Sequence, residues 1–329
     1  MKIAVLTAEK RFRRFADPAM IPENAELVFF GADYTEDEVI ARAGDAEVIM
    51  VDAVYPVTEK MIQGMPKLKL IHSEGVAYNR IDTEAAAKAG VYVCNNRAVN
   101  AGQVAEHTVL LMLAVMRRLT EGDAMIRAGR QGEAKYTFIQ QELKDLIDQR
   151  VGLVGFGAIG RELAKRLLPF GCRLFYYDPF RADEATEREY NITYLEKDEL
   201  LRTSDVITLH VPVTPSTTNF INRDTLALMK PSAILINCAR GAVVNSADLA
   251  EAVKTGKIYG AGIDTIDPEP VSADDPLVCL PEPWCYRVIL SPHIAGTTVS
   301  VFLSSYRNFF NAIAAVMAGE KPKNVVNGL

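Results

Sequence analysis

The stretch Val151–Lys165 reads VGLVGFGAIGRELAK, and how it is read decides the fold. A short apolar run meets glycines at 155, 157 and 160, in a G-x-G-x-x-G arrangement, and a helix-like segment, Arg161–Leu168, follows at once. With 21 glycines in the chain the pattern alone is weak, so its context has to carry it. A second strand-like run, Arg173–Tyr177, ends at Asp178, which lies 18 residues beyond Gly160. That is close to the interval of about 20 expected for an acid that holds an adenosine ribose. Gly155 then serves a tight turn, Gly157 a close backbone approach to a pyrophosphate, and Gly160 the packing of helix on strand. Ala158 and Ile159 open the helix, whose free N–H groups and positive dipole end suit phosphates. Asp178 accepts from ribose hydroxyls and repels a 2′-phosphate, which favours NAD as cofactor. Arg181, just behind it, leaves an opening for NADP. The competing reading is a glycine-rich βα turn that binds nothing.

Outward from this unit, β-branched or apolar runs alternate with helix-like stretches. The strands are expected at Lys2–Thr7, Val48–Val51, Leu70–His72, Val91–Cys94, Val151–Val154, Arg173–Tyr177, Val206–His210, Ala233–Asn237, Tyr259–Ile263 and Val288–Ser291. Helical spacing marks Asp82–Ala89, Ile159–Phe170, Ser246–Thr255 and Val299–Met317. The fold class is therefore α/β, with parallel sheets covered on both faces. One long helix is expected from Asn100 to Arg127, apolar nearly all round at His107–Leu119, either a core helix or a dimer seam. Composition shifts near Ala101 and again at Ala295–Thr298. Residues 1–100 and 297–329 are read as one domain, and 101–296 as a second, inserted domain hinged over a cleft.

Composition narrows the function. The 329 residues carry 36 Lys and Arg against 42 Asp and Glu, a net charge of −6, with no basic tract, so nucleic acid is not an expected partner. The longest apolar run, Val109–Met116, is eight residues, far below the ~20 that span a bilayer. The opening MKIAVLTAEKRFRR is too short in its apolar part for a signal peptide. Five cysteines, at 94, 172, 238, 279 and 285, contain no C-x-x-C pair and fit a reducing cytoplasm. No cluster has metal-site spacing, so no metal is expected.

In an open α/β sheet, ligands collect beyond the carboxyl ends of the strands. In the inserted domain those ends carry Asp178, His210 (in LHVPVTP, with Pro212), Arg240 (in INCARG, with Cys238 and Ala239), Asp264 and Glu269 (in GIDTIDPEP), and His293 (in SPHIAG). A single polar loop residue is usually only solvated; a row of them on one edge is harder to dismiss. An arginine fork holds a carboxylate, and a histidine exchanges protons near neutral pH. Beside a nicotinamide, an Arg–His–Glu set suits hydride transfer between a 2-hydroxy acid and a 2-oxo acid.

These residues resemble the D-isomer-specific 2-hydroxyacid dehydrogenase family, including its phosphoglycerate dehydrogenases and glyoxylate/hydroxypyruvate reductases. The similarity runs from LKLIHSEGVAYNRID (Leu68–Asp82) through NAGQVAEHTVLLMLA (Asn100–Ala114), the glycine loop, INCARGAVVN, GAGIDTIDPEP and SPHIAG to NVVN (Asn324–Asn327). The resemblance implies two Rossmann-like or flavodoxin-like domains, with the NAD domain inserted into the substrate domain. It implies His293 as acid/base, Glu269 as its partner, and Arg240 on the substrate. The loop Glu74, Gly75, Val76 would meet the substrate, the amides of Gly75 and Val76 holding its carboxylate. Asp264, His210, Pro212, Cys238 and Ala239 would line the cofactor, and a homodimer would form through the 100–127 helix.

The chain also departs from the pattern. Where phosphoglycerate dehydrogenases resemble one another in an arginine, Ser73 stands, and Glu74 follows, which argues against a phosphorylated substrate. Asn95-Asn96-Arg97-Ala98 replaces a familiar N-T-P-G. The interval from Glu269 to His293 is 24 residues, and its 270–287 loop either shapes the pocket or is a surface loop. The chain ends at Leu329, short of the regulatory domain of longer phosphoglycerate dehydrogenases. His72 and His107, beside apolar runs, read as structural. The competing function is an NADH-responsive binding or scaffold protein of the corepressor type.

Overall fold

A computed structural model describes every residue of the chain except Ala32 and Glu142. The chain divides into two compact units, Met1–Val99 with Thr297–Leu329, and Asn100–Gly296.

The first unit holds β1 (Lys2–Leu6), β2 (Glu26–Phe29), β3 (Val48–Val51), β4 (Leu70–Ser73) and β5 (Tyr92–Cys94), all parallel, in the order β2-β1-β3-β4-β5. This is the flavodoxin-like winding, with its switch point between β1 and β3. Alternate residues feed opposite faces: Ala4 and Leu6 enter one core, Ile3 and Val5 the other, with Tyr306, Phe309 and Phe310 of the helix Val299–Met317. Burial on both faces explains why VIMV in β3 is apolar without alternation.

The second unit holds β6 (Arg150–Val154), β7 (Arg173–Tyr177), β8 (Ile192–Tyr194), β9 (Val206–Leu209), β10 (Ile234–Asn237), β11 (Gly260–Ile263) and β12 (Val288–Leu290). All run parallel, in the order β12-β11-β10-β9-β6-β7-β8. Read from β6, this is the Rossmann winding with one more edge strand, and its switch point lies between β6 and β9.

Two edge strands escaped the periodicity reading. β2 and β8 are four and three residues long, and each lies at the end of its sheet. The expected helix from Asn100 to Arg127 is two helices, Ala101–Met116 and Leu119–Arg127. The break is at Arg118, whose backbone is left-handed at φ 51°. Its guanidinium grips Glu121 through Nε (2.7 Å) and Nη2 (2.6 Å), reaches Gln141, and lies 4.4 Å from the Phe138 ring centre. These contacts hold a conformation that costs about 1–2 kcal/mol in isolation. A third helix, Gln131–Gln140, follows, and Leu110, Leu119, Ile126, Tyr136, Ile139 and Ile147 of this region are exposed. The 270–287 loop is anchored in its own unit's core by Leu277 and Leu280, with Trp284 packed alongside. Among the described residues no helix is long and apolar enough to cross a membrane.

Candidate active site

The glycine loop sits at the switch point of the larger sheet. Gly155 has φ +96°, and a Cβ there would lie 2.5 Å from the carbonyl oxygen of His210 at the end of β9. Only glycine fits both the backbone and that approach. A Cβ on Gly160 would lie 2.6 Å from the Gly155 oxygen, whereas one on Gly157 would meet nothing within 4 Å. The loop is thus closed behind and open in front, at the amino end of the helix Ala158–Leu167. Gly157 and Ala158 are exposed, Ile159 is half-buried and Gly160 is buried.

Asp178, just past β7, is fastened beside this loop: Oδ2 accepts from the Phe156 N–H and Oδ1 from the Phe180 N–H, each at 2.9 Å. His210 hangs at the end of β9, where Nε2 lies 2.9 Å from the Thr208 hydroxyl. Its Nδ1 is buried without a partner among the described residues, and burial pushes its pKa down to about 3, so the ring is neutral. An orphaned ring nitrogen and an open cradle at one switch point fit a dinucleotide. Cys238 and Ala239 are buried after β10, Pro212 is exposed, and burial pushes the Cys238 thiol up to about 12, away from a reactive thiolate.

The two residues expected to act as acid/base and partner are in direct contact. Nδ1 of His293 lies 2.8 Å from both Glu269 carboxylate oxygens. His293 has φ 55°, a left-handed conformation uncommon outside glycine and found at functional sites. Its N–H donates to the Asp264 carbonyl at 2.8 Å. The Asp264 carboxylate, itself buried, accepts from the Ser291 hydroxyl (2.5 Å), the Ile294 N–H (3.0 Å) and the Ala295 N–H (3.0 Å). His107 Nε2 lies 2.9 Å from Ser291 Oγ. Because that hydroxyl gives its proton to Asp264, the imidazole must donate to it. The residue read from sequence as structural thus stands behind the loop of His293. No sequence spacing links positions 107, 264 and 291.

Arg240 is exposed past β10 and is not bonded to Glu269 or His293. Its Nη1 donates to the Ala239 carbonyl at 2.7 Å, and no carboxylate pairs with it among the described residues. The backbone around it is set by Asn237, whose amide donates to the Arg240 carbonyl (3.0 Å) and accepts from the Ala239 N–H (3.0 Å).

In the smaller unit the loop after β4 is organised by its carbonyls. The Asn96 side chain donates to the carbonyls of Ser73 (3.4 Å) and Glu74 (2.9 Å), and the Asn96 N–H to that of Gly75 (2.9 Å). Asn95 donates to the Val76 carbonyl and Ser73 Oγ to the Ala77 carbonyl, each at 2.6 Å. Every carbonyl from 73 to 77 is taken, while the N–H groups of Gly75, Val76 and Ala77 have no acceptor among the described residues. Consecutive free N–H donors are the feature from which backbone anion cradles are built. The two asparagines that template it were seen in sequence only as a departure from N-T-P-G. Glu74 differs from its expected use. Its carboxylate is buried, accepting from Thr7 Oγ1 (2.8 Å), Arg11 Nε (2.9 Å) and the Tyr306 hydroxyl (2.6 Å). It is an internal counter-ion, which leaves its backbone rather than its charge for a ligand.

A family model for the NAD-binding domain of D-isomer-specific 2-hydroxyacid dehydrogenases matches residues 109–295. The chain belongs to that family. A glyoxylate reductase of Korarchaeum cryptofilum is 34% identical over 88% of this dehydrogenase and 85% of the relative. A D-3-phosphoglycerate dehydrogenase of Methanocaldococcus jannaschii is also 34% identical, over 94% of this chain but 57% of that protein. Among solved structures, a D-lactate dehydrogenase of Lactobacillus jensenii with NAD+ superposes with a TM-score of 0.84 at 26% identity, covering 99% of each chain. The dehydrogenase is an NAD-binding oxidoreductase with a Rossmann-type fold, and NAD is its cofactor.

Proposed function

We propose that this dehydrogenase reduces a small 2-oxo acid to its D-2-hydroxy acid, with residues 101–296 binding NAD and 1–100 with 297–329 binding substrate. The observation that carries this is the His293–Glu269 contact, in a unit where the Arg240 guanidinium meets no carboxylate among the described residues. Bound NADH supplies the hydride to the carbonyl carbon. His293 gives the proton on Nε2 to the carbonyl oxygen as the hydroxyl forms, and Glu269 at Nδ1 fixes the tautomer and steadies the imidazolium. Arg240 binds the substrate and stabilises charge developing on that oxygen. The Gly75 and Val76 amides take the substrate carboxylate. Gly155, Gly157, Ala158, Ile159 and Gly160 cradle the pyrophosphate, Asp178 the ribose, and His210, Pro212, Cys238, Ala239 and Asp264 line the remainder.

The relatives' names make glyoxylate the first substrate to try. We also propose a homodimer through the 100–127 helix region, where Leu110, Leu119 and Ile126 are exposed, and a cytoplasmic setting that suits five free cysteines. The test is steady-state oxidation of NADH with glyoxylate, hydroxypyruvate, pyruvate, 2-oxoisocaproate and phenylpyruvate. Turnover on at least one is expected, with a D-configured product from every substrate but glyoxylate, whose product glycolate is achiral. Tight NADH binding with turnover on none would replace the enzyme with an NADH-responsive scaffold.

A further inference from the structure

The loop after β7 reads Asp178-Pro-Phe-Arg-Ala-Asp183, and Arg181 is its one cation. Three residues past an acid proposed to hold the ribose, an arginine is well placed in sequence to neutralise a 2′-phosphate. The structure gives this arginine another partner. Arg181 Nε and Nη2 donate to the two carboxylate oxygens of Glu187 at 2.9 and 3.1 Å, and its guanidinium lies 5.1 Å from the Tyr194 ring centre. Glu187, on the helix Glu184–Glu189, is mostly buried, with 14% of its side chain exposed against 60% for Arg181. It also accepts from the Tyr176 hydroxyl at 2.9 Å, and that hydroxyl in turn accepts from the Ala182 N–H at 2.9 Å.

Isolated surface ion pairs contribute little. This one is forked, rests on an aromatic ring, and ends on an anion that a second donor already holds in place, so the guanidinium has a fixed seat rather than a free swing. The pairing also holds the Arg181 pKa up and the Glu187 pKa down.

We propose that Glu187 is a specificity-determining residue for the dinucleotide: by engaging Arg181 it withholds from the ribose 2′ position the one cation of the 178–183 loop. Discrimination against NADP then has two layers, the charge of Asp178 and the sequestration of Arg181. The inference rests on reading Asp178 as the ribose contact.

The experiment is equilibrium titration of NADH and NADPH by fluorescence, without substrate. The proteins are the wild type, Asp178→Asn, Asp178→Asn with Glu187→Gln, and that pair with Arg181→Met; Glu187→Ala in place of Gln gives a second route, and melting temperatures report folding. Adding Glu187→Gln to Asp178→Asn is expected to raise the NADPH-to-NADH affinity ratio about tenfold, the scale of one charge-assisted pair to phosphate. Adding Arg181→Met is expected to remove that gain. A ratio that does not move, or a gain that survives without Arg181, overturns the role of Glu187. A wild type that binds neither dinucleotide overturns the site and this proposal together. An Asp178→Asn protein with unaltered preference for NADH overturns the ribose contact, and this inference with it, while leaving the dinucleotide site in place.

Discussion

His293 and Glu269 share a hydrogen bond in which one ring nitrogen faces both carboxylate oxygens at 2.8 Å. The two residues lie 24 positions apart, and Nδ1 is the nitrogen so engaged, while Nε2 has no partner among the described residues. His293→Ala is expected to leave the Kd for NADH nearly intact while kcat falls about 10²–10⁴-fold, the usual share of a general acid. Comparable turnover in the variant removes His293 from this role.

Among the described residues Arg240 pairs with no carboxylate, so the proposed anionic substrate would meet an unclaimed fork. Arg240→Lys keeps the charge and loses the fork. kcat/KM is expected to fall about 100-fold or more, with NADH affinity unchanged in a direct titration. Lysine at full activity would show that only a point charge is needed.

The two glycines behind and in front of the dinucleotide cradle separate folding from binding. Gly160→Ala puts a Cβ against the Gly155 carbonyl and is expected to lower the melting temperature. Gly157→Ala meets open space, so its melting temperature is expected to hold while NADH affinity drops about tenfold or more. Equal NADH affinity in Gly157→Ala would place the pyrophosphate elsewhere.

Asn96→Ala frees the Glu74 carbonyl, while that of Ser73 keeps His72 Nδ1 at 2.9 Å, and is expected to cost about 1–3 kcal/mol of stability. Its distinguishing effect is on the cradle: KM for the 2-oxo acid rises while NADH affinity does not. A stability loss with unaltered KM would make Asn96 a purely structural residue.

Burial keeps two imidazoles neutral, His72 with a pKa pushed down to about 4 and His210 to about 3. In the unfolded chain each titrates near ~6.5. Below that pH the unfolded chain takes up protons that the folded chain refuses, so this stability is present above ~6.5 and is lost as pH falls toward 4. The urea midpoint is expected to fall between pH 7 and pH 5, and His72→Phe, which packs in the same place against Phe309, is expected to flatten the slope. An unchanged slope in that variant would assign the acid sensitivity to other groups.

Much of this was legible because parallel strands buried on both faces leave unbroken apolar runs, and because strand ends collect the polar residues that do chemistry. The glycine loop, Asp178, Arg240, Glu269 and His293 could all be read this way. β2 and β8 were missed although the equally short edge strands β5 and β12 were found: no residue of β2 is fully buried, and the middle residue of β8 is exposed. The break at Arg118 was hidden because MRRLTE continues a helical pattern, and only the contacts to Glu121, Gln141 and Phe138 favour the left-handed residue. Glu74 was read as part of the loop that meets the substrate. Its counter-ion Arg11 lies 63 residues away, and one sequence does not display that partnership.

The anion of Asp264 gathers Ser291, Ile294 and Ala295, with His107 one hydroxyl further back. The turn presenting the imidazole is therefore not a modular part. Transplanting residues 291–295 from a relative without a matching acid and its distant imidazole would import the right letters in the wrong shape. Residues 107, 264, 291 and 293 should be exchanged as a set, or left alone.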